Sequence, residues 1–124
     1  MTIPFLDVPL AEQREWVKEL ADRGWTDVWS AEADGYDAFT PLALASAWAP
    51  ELRLGTAIVP AFTRSPALMA QSVATMAAAA PGRFVFGIGT SSDVIVERWN
   101  GIPFTEPYAQ VRDMVRFVGD ALSG

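Results

Sequence analysis

The chain has 124 residues, 51% of them hydrophobic and 19% charged, which is long and apolar enough to bury a core as one domain. Nine basic against 15 acidic residues give a net charge of −6, which disfavours nucleic acid and anionic membranes as partners. Cysteine and histidine are absent, which excludes disulfides, thiolate or imidazole metal ligands and histidine-dependent catalysis, so no metal site is expected. Because neither a basic leader nor an apolar run of about 20 residues occurs, we expect a cytoplasmic protein without a membrane segment.

The first half of the sequence alternates short apolar runs with helical patterns. Ile3–Leu6 predicts a weak first strand, and the apolar spacing over Leu10–Gly24 predicts a helix. The run DVWSAE, Asp27–Glu32, predicts a strand that continues into an acidic loop. Next, Thr40 is expected to be the N-cap of a helix that opens with proline and continues until Pro50.

The second half repeats this alternation. Leu52–Pro60 (LRLGTAIVP) predicts an apolar strand, Ser65 predicts the N-cap of a following helix, and Arg83–Gly89 (RFVFGIG) predicts another strand. Residues 91–104 are expected to form a loop, after which Pro107 opens a last helix. The predicted order is therefore four βα units.

Four consecutive βα units predict an α/β fold with a parallel sheet and helices packed on it. A complete (β/α)8 barrel of the TIM type needs about 250 residues. We therefore expect residues 1–124 to form a single domain that is a parallel (βα)4 half of such a barrel. Its open sheet predicts completion by a second copy, by a complementary half-barrel from a partner chain, or by C-terminal sequence.

Several residues follow the predicted strands, where α/β folds bind their ligands. Glu32 is a candidate functional carboxylate, or else a solvated loop acid or a neighbour of a helix cap. The glycines of Gly87-Ile88-Gly89 resemble part of a dinucleotide fingerprint, but Ser92 stands where its third glycine belongs, which disfavours a nicotinamide site. These glycines are equally explained by a tight turn at the strand end.

Other conspicuous residues have more ordinary interpretations. We expect Trp25 and Trp48 to lie in the core, whereas Trp99, in the predicted loop, could wall a pocket or pack at a subunit boundary. Arg64 could pair with a phosphate, although an arginine near a helix start is more often structural or solvated.

Four segments carry a family resemblance: VWSAE…DAFTPLALASAW, LRLGTAIVPAFTRSPALMAQ, APGRFVFGIGTSS and VIVERWNGIPF…PY. In this order they resemble the luciferase-like monooxygenase superfamily, in particular its oxidoreductases that depend on the deazaflavin coenzyme F420. The resemblance implies a TIM-type barrel in which the deazaflavin, or FMN as the alternative, lies across the carboxyl ends of the strands. It also implies that this chain is the N-terminal half of that barrel.

The resemblance also implies roles for individual residues. Glu32 matches the acid that ends the second strand and approaches the cofactor, which makes it the candidate catalytic residue. A non-proline cis peptide that backs the deazaflavin ring matches Ala57–Ile58. The loop that approaches the ring and tail of the cofactor matches Thr90, Ser91 and Asp93.

Two positions depart from the family pattern. Ala33 stands where many relatives have histidine, and Thr90 where some have glutamate, which excludes imidazole-assisted proton transfer. Hydride transfer between the cofactor and a small organic substrate remains the predicted reaction, because the cofactor carries that chemistry. The alternative is a catalytically silent half-barrel that serves assembly.

Overall fold

The structure, a computed structural model, describes residues 1–124 as strands and helices that alternate along the chain. The strands are β1 (Asp27–Ser30), β2 (Arg53–Thr56), β3 (Val59–Pro60), β4 (Phe84–Val85) and β5 (Ile88–Gly89). The helices are α1 (Arg14–Asp22), α2 (Phe39–Trp48), α3 (Pro66–Ala79) and α4 (Pro107–Ser123), with a 3₁₀ turn at Leu10–Glu12 and a π-helix at Val94–Trp99.

All strand pairs are parallel, and they fall into two short sheets, β1-β2-β4 and β3-β5. β2 lies between β1 and β4, with Ser30 opposite Thr56 and Leu54 opposite Phe84. β3 pairs with β5 in a second short sheet that continues the first beyond the Ala57–Ile58 peptide. A parallel sheet built in sequence order with helices on one face is how a TIM-type barrel is assembled. The predicted parallel (βα)4 fold is confirmed.

The core lies between the sheet and the helices. Val28 and Leu54 are completely buried on the helix side of the sheet, where they belong to a cluster of 20 buried hydrophobic residues. Leu42 from α2, Met69 from α3 and Met114 from α4 belong to the same cluster. Each helix therefore buries an apolar stripe against the strands, and the other face of the sheet carries no helix.

The first predicted strand, Ile3–Leu6, is wrong. Pairing is limited to an isolated parallel bridge between Thr2 and Trp29. The Phe5 backbone is instead held by the buried side chain of Gln13, which accepts from Phe5 N at 2.9 Å and donates to Phe5 O at 3.1 Å. Because a side chain satisfies these groups, and Pro4 has no N–H to donate, the segment has no need of a ladder.

The two long predicted strands are each divided in two. Leu52–Pro60 forms β2 and β3, and Arg83–Gly89 forms β4 and β5. At both breaks the hydroxyl of Thr56 replaces ladder bonds, since its Oγ1 donates to Gly87 O at 2.7 Å and accepts from Gly87 N at 2.8 Å.

Of the helix starts predicted at Thr40, Ser65 and Pro107, the last two are confirmed. Ser65 accepts from Leu68 N at 3.4 Å and Pro107 opens α4, as predicted. Thr40 is not an N-cap, because α2 already begins at Phe39 and the Asp37 carboxylate accepts from Phe39 N and Thr40 N at 2.9 and 3.0 Å.

The predicted loop over residues 91–104 is also corrected, because it contains the π-helix. Ser92 Oγ accepts from Ile95 N at 3.3 Å at its start, and Asn100 Nδ2 donates to Ile95 O at 2.6 Å near its end. Side chains at both ends therefore stabilise a helical turn in a segment without helical periodicity.

Two tryptophan predictions have opposite outcomes. Trp48 packs against the core, as expected. Trp25 is 45% exposed, so its core placement is wrong. It follows Gly24, whose φ of +84° turns the chain away from α1 and leaves the indole at the surface.

No helix is both long and apolar enough to cross a membrane.

Candidate functional site

Three strand ends meet in one rim at the carboxyl side of the sheet. Ala57 N donates to Ser30 O at 2.7 Å, and Glu32 N donates to Ile58 O at 3.1 Å, so the end of β1 is tied to the segment between β2 and β3. Ala61 N donates to Gly89 O at 2.9 Å, which ties that segment to the end of β5. The rim therefore begins at Glu32, passes Ala57–Ile58 and reaches Gly89 and Thr90.

The middle of the rim contains the expected cis peptide bond. Ala57–Ile58 is a cis bond without proline. Ala57 is exposed and Ile58 is half-buried, so this point of the rim offers apolar surface. A Cβ at Gly89 would lie 3.2 Å from the Ile58 side chain, so Gly89 leaves room for that side chain.

Gly87 is needed for a close approach of two strands. A Cβ built on it would lie 2.0 Å from the carbonyl oxygen of Thr56, which is far inside van der Waals contact. The same two residues share the hydroxyl bonds described above. The glycines of the Gly87-Ile88-Gly89 motif therefore have a packing reason that needs no dinucleotide.

The Glu32 carboxylate is held by three donors. Arg64 Nη1 lies 2.5 Å from Oε1 and 2.7 Å from Oε2, Thr63 Oγ1 lies 3.4 Å from Oε1, and Ala38 N donates to Oε2 at 3.2 Å. The side chains of Glu32 and Arg64 are only 17% and 16% exposed. These four hydrogen bonds occupy the roughly four acceptor positions of a carboxylate, so a ligand N–H or O–H would replace the longest of them, the 3.4 Å bond from Thr63.

Arg64 makes more contacts at the rim than its position in the sequence indicates. Its guanidinium lies 5.0 Å from the centre of the Phe39 ring and 3.8 Å from Asp37 Oδ1, in addition to its bonds with Glu32. Arg64 therefore has a structural role, which was the more ordinary of its two interpretations. The carboxylates of Glu32 and Asp37 neutralise the charge of its guanidinium. The sequence did contain a signal for this contact. Glu32 and Arg64 each follow a strand, and the carboxyl ends of neighbouring parallel strands lie at the same edge of a sheet.

Asp37 links this ion pair to α2. Burial raises the pKa of Asp37, but the hydrogen bonds from the Thr40 side chain and from the backbone N–H groups of Thr40 and Phe39, together with the charge of Arg64, outweigh it. The net result is a pKa below the ordinary value. Asp37 is thus a carboxylate that caps a helix.

The residues after β5 occupy the other end of the rim. Thr90 Oγ1 donates to Ser91 O at 3.1 Å, and Ser91 has a φ of +61°, so the chain turns sharply here. Both residues are half-buried beside Gly89. Asp93 is exposed and lies 3.6 Å from Arg98, on the π-helix. Of the residues predicted after this strand, Thr90 and Ser91 are thus at the rim, while the Asp93 carboxylate pairs with the π-helix.

The rim is open rather than enclosed. Beside it lies a hollow of about 180 Å³ lined by residues of the first loop and of the turn after β1, among them Thr2, Ala31, Ala33 and Tyr36. A larger groove of about 380 Å³ lies between α2 and α3 and is lined by residues of these two helices alone. No group of three His, Cys, Asp or Glu residues is placed to hold a metal ion.

Comparison with known proteins decides the family. The family model for luciferase-like monooxygenases matches residues 4–124. The chain belongs to the luciferase-like monooxygenase family. The four segments that suggested this family, including the rim from Glu32 to Thr90, all lie within the matched residues.

One similar member of the family is a Mycobacterium tuberculosis protein named as a coenzyme F420-dependent oxidoreductase. It is 34% identical over 110 residues, which are 89% of this chain and 32% of that protein. The chain therefore spans about a third of the length of this curated relative.

Two solved structures share the fold. The coenzyme F420-dependent tetrahydromethanopterin reductase of Methanopyrus kandleri matches 92% of this chain and 37% of its own with a TM-score of 0.75 at 22% identity. The oxygenating constituent of 3,6-diketocamphane monooxygenase from Pseudomonas putida, in complex with FMN, matches 88% of this chain and 33% of its own, with a TM-score of 0.75 at 14% identity.

Proposed function

We propose that this chain forms the cofactor-facing N-terminal half of an F420-dependent oxidoreductase that transfers hydride between the deazaflavin and a small organic substrate. The observation that carries the proposal is the rim of three hydrogen-bonded strand ends, with Glu32, the Ala57–Ile58 peptide and Thr90 in a row. The F420-dependent relatives support the choice of cofactor, and the FMN-bound neighbour supports FMN as the alternative.

The rim fits the ring of such a cofactor better than its phosphate. A flat ring needs an apolar wall and a few hydrogen-bond partners. Ala57 and Ile58 provide the wall, and Thr90 and Ser91 provide hydroxyl and backbone groups beside it. A phosphate needs a free cation, whereas Arg64 at the rim is taken up by two carboxylates. We propose that phosphate contacts come from the other four βα units of a complete barrel.

Glu32 is proposed to orient the ring or the substrate by accepting a hydrogen bond in place of the long one from Thr63. Arg64 and Ala38 N fix its carboxylate in one place, and Arg64 compensates its charge. A carboxylate held in this way keeps its position when a ligand binds, which is how a preorganised site gains affinity. When bound, the deazaflavin would supply the hydride chemistry, and the residues of this chain would position it.

A cofactor titration tests the proposal. The purified chain is titrated with F420 and, in parallel, with FMN, while cofactor fluorescence is followed. We expect saturable binding of F420. Glu32→Gln, which keeps the shape of the side chain but loses its charge, is expected to weaken that binding about tenfold, equal to about 1.4 kcal/mol.

Glu51→Gln is the matched control. Glu51 is exposed and lies just before β2, at the opposite end of the sheet from the rim, so this variant is expected to bind like the wild type. Circular dichroism verifies that both variants fold. Failure of the wild type to bind either cofactor at high micromolar concentration would support the silent half-barrel instead, and equal binding by Glu32→Gln would overturn the role of Glu32.

A further inference from the structure

The two faces of the sheet are covered differently. Val28 of β1 and Leu54 of β2 point to the helices and are completely buried. Because side chains alternate along a strand, Trp29 and Gly55 point to the opposite face, which carries no helix. These two residues are opposite each other in the parallel register, so they are neighbours on that face. A tryptophan therefore lies beside a glycine on the face without helices.

The indole of Trp29 lies against the backbone of Gly55. A Cβ built on Gly55 would collide with Cε3, Cζ3 and Cη2 of the indole, so glycine at this position is what allows the ring to cross onto β2. Gly55 is buried and Trp29 is half-buried, so part of the indole stays accessible from the face without helices. The ring therefore provides a flat apolar surface there.

The positions between this indole and the rim have small side chains. Ala31 lies two residues after Trp29, and Ala57 lies two residues after Gly55, so both alanines follow on the same face, and both are exposed. Gly87, whose backbone lies against the end of β2, contributes no side chain beside them. Barrel interiors are usually filled by bulky branched residues. These three positions therefore leave unusual room above the indole, whatever faces them from across the barrel.

This room above the indole is continuous with the rim. Ala57 belongs to both, because its bond with Ile58 is the middle of the rim. The bordering residues Trp29, Ala31, Ala57 and Gly87 carry no charge, and the indole N–H is their one polar side-chain group. Contact between two aromatic rings strengthens association by about two- to tenfold beyond the effect of their buried area, and a sugar or a phosphate gains no such contact. The space therefore suits a flat, uncharged, conjugated ring.

We infer that Trp29 is the floor of the cofactor site. The ring that is proposed to lie at the rim extends past Ala31 and Ala57 and contacts the indole, which makes Trp29 a binding residue that selects flat conjugated ligands. Gly55 is then a positioning residue, because it is what lets the indole cross onto β2. The inference rests on the proposed function, since the ring is that of the same cofactor.

Lumiflavin is the probe that tests this floor. It is the flavin ring without the phosphate-bearing chain, so its binding requires no phosphate contact. The purified chain is titrated with lumiflavin up to the solubility limit of the probe, while the fluorescence of the probe is followed. We expect saturable binding with strong quenching, because an indole in contact with an excited flavin ring quenches its emission by electron transfer.

Two substitutions of Trp29 separate ring contact from general packing. Trp29→Phe keeps an aromatic ring that does not quench flavins, so we expect binding within about twofold of the wild type and a bound probe that fluoresces. Trp29→Leu keeps apolar volume without a ring, and we expect about fivefold weaker binding. Circular dichroism verifies that both variants fold. Equal quenching by the wild type and by Trp29→Phe would overturn the inference, since the indole would then not contact the ring.

Filling the space above the indole is the second test. Ala31→Leu places a branched side chain there and is expected to weaken lumiflavin binding about tenfold. Ala43→Leu is the matched control, because Ala43 is exposed in the groove between α2 and α3, and this variant is expected to bind like the wild type. Unchanged binding by Ala31→Leu, or a loss of binding by Ala43→Leu, would place the probe elsewhere and contradict the inference.

The outcomes also separate this inference from the proposed function. If lumiflavin does not bind, Trp29 is not the floor of a ring site, even where the chain binds F420, and protein side chains are then the occupants of the space. If lumiflavin binds with the expected quenching but neither F420 nor FMN binds, the floor stands and the proposed cofactor is wrong.

Discussion

The bonds between Arg64 and Glu32 lie in a part of the molecule where solvent screens charge weakly. Their side chains are 16% and 17% exposed, whereas those of the Arg23–Glu19 pair on α1 are 70% and 55% exposed. An exposed pair contributes about 0–1 kcal/mol to folding, while breaking a buried pair leaves a charge without compensation. The rim therefore depends on Arg64 for the position of its carboxylate.

Arg64→Met is predicted to lower the free energy of unfolding by about 2–3 kcal/mol, because Glu32 then stays partly buried without its cation. Urea denaturation measures the loss. The double variant Arg64→Met/Glu32→Gln is expected to be less destabilised than the sum of the single variants, since the two residues interact directly.

Arg23→Met is the control for this cycle. Because its pair with Glu19 is exposed, we expect a loss below about 1 kcal/mol. Equal losses from Arg23→Met and Arg64→Met would show that the rim pair is no stronger than a surface contact.

Part of the site could be predicted at this scale and part could not. The Ala57–Ile58 bond and the position of Glu32 at a strand end follow motifs that are contiguous in the sequence. The Arg64–Glu32 contact joins residues 32 positions apart, so it depends on the adjacency of two strands and on side-chain rotamers. Ser30 illustrates the same limit, because its buried hydroxyl has no partner and nothing in the sequence indicates this.

At the scale of the helices, capping residues predicted a helix start correctly where the sequence had a single candidate for the cap. Ser65 followed by Pro66 predicted the start of α3 correctly. Before α2, both Asp37 and Thr40 are capping residue types, and the choice between them depends on which side chain reaches the free N–H groups. The π-helix at Val94–Trp99 was missed because its hydrogen-bond spacing gives no 3.6-residue apolar pattern.

The Asp37 cap makes a prediction about pH. The pKa of Asp37 is lower in the folded state than in the unfolded state, where it is about 3.9. The charged carboxylate therefore stabilises the fold at pH values above the unfolded-state pKa. This contribution is lost as the pH falls through the folded-state pKa. Asp37→Asn cannot titrate, yet asparagine still caps. We therefore expect the variant to lose less stability than the wild type between pH 5 and about pH 2, measured by urea denaturation at each pH.

The size of the cap's contribution is checked at neutral pH. Asp37→Ala removes both hydrogen bonds to the start of α2 and is expected to destabilise the chain by about 1 kcal/mol at pH 7. Parallel stability–pH curves for Asp37→Asn and the wild type would contradict the assignment of this acid sensitivity to Asp37.

At the scale of the molecule, the alternation of strands and helices was enough to predict a parallel half-barrel, because short connections between βα units leave few other topologies. The alternation does not predict which large side chains are exposed. Trp25, expected in the core, is 45% exposed, and Trp16 and Val115 are 54% and 47% exposed. Such placements follow from the packing of helices that are distant in sequence.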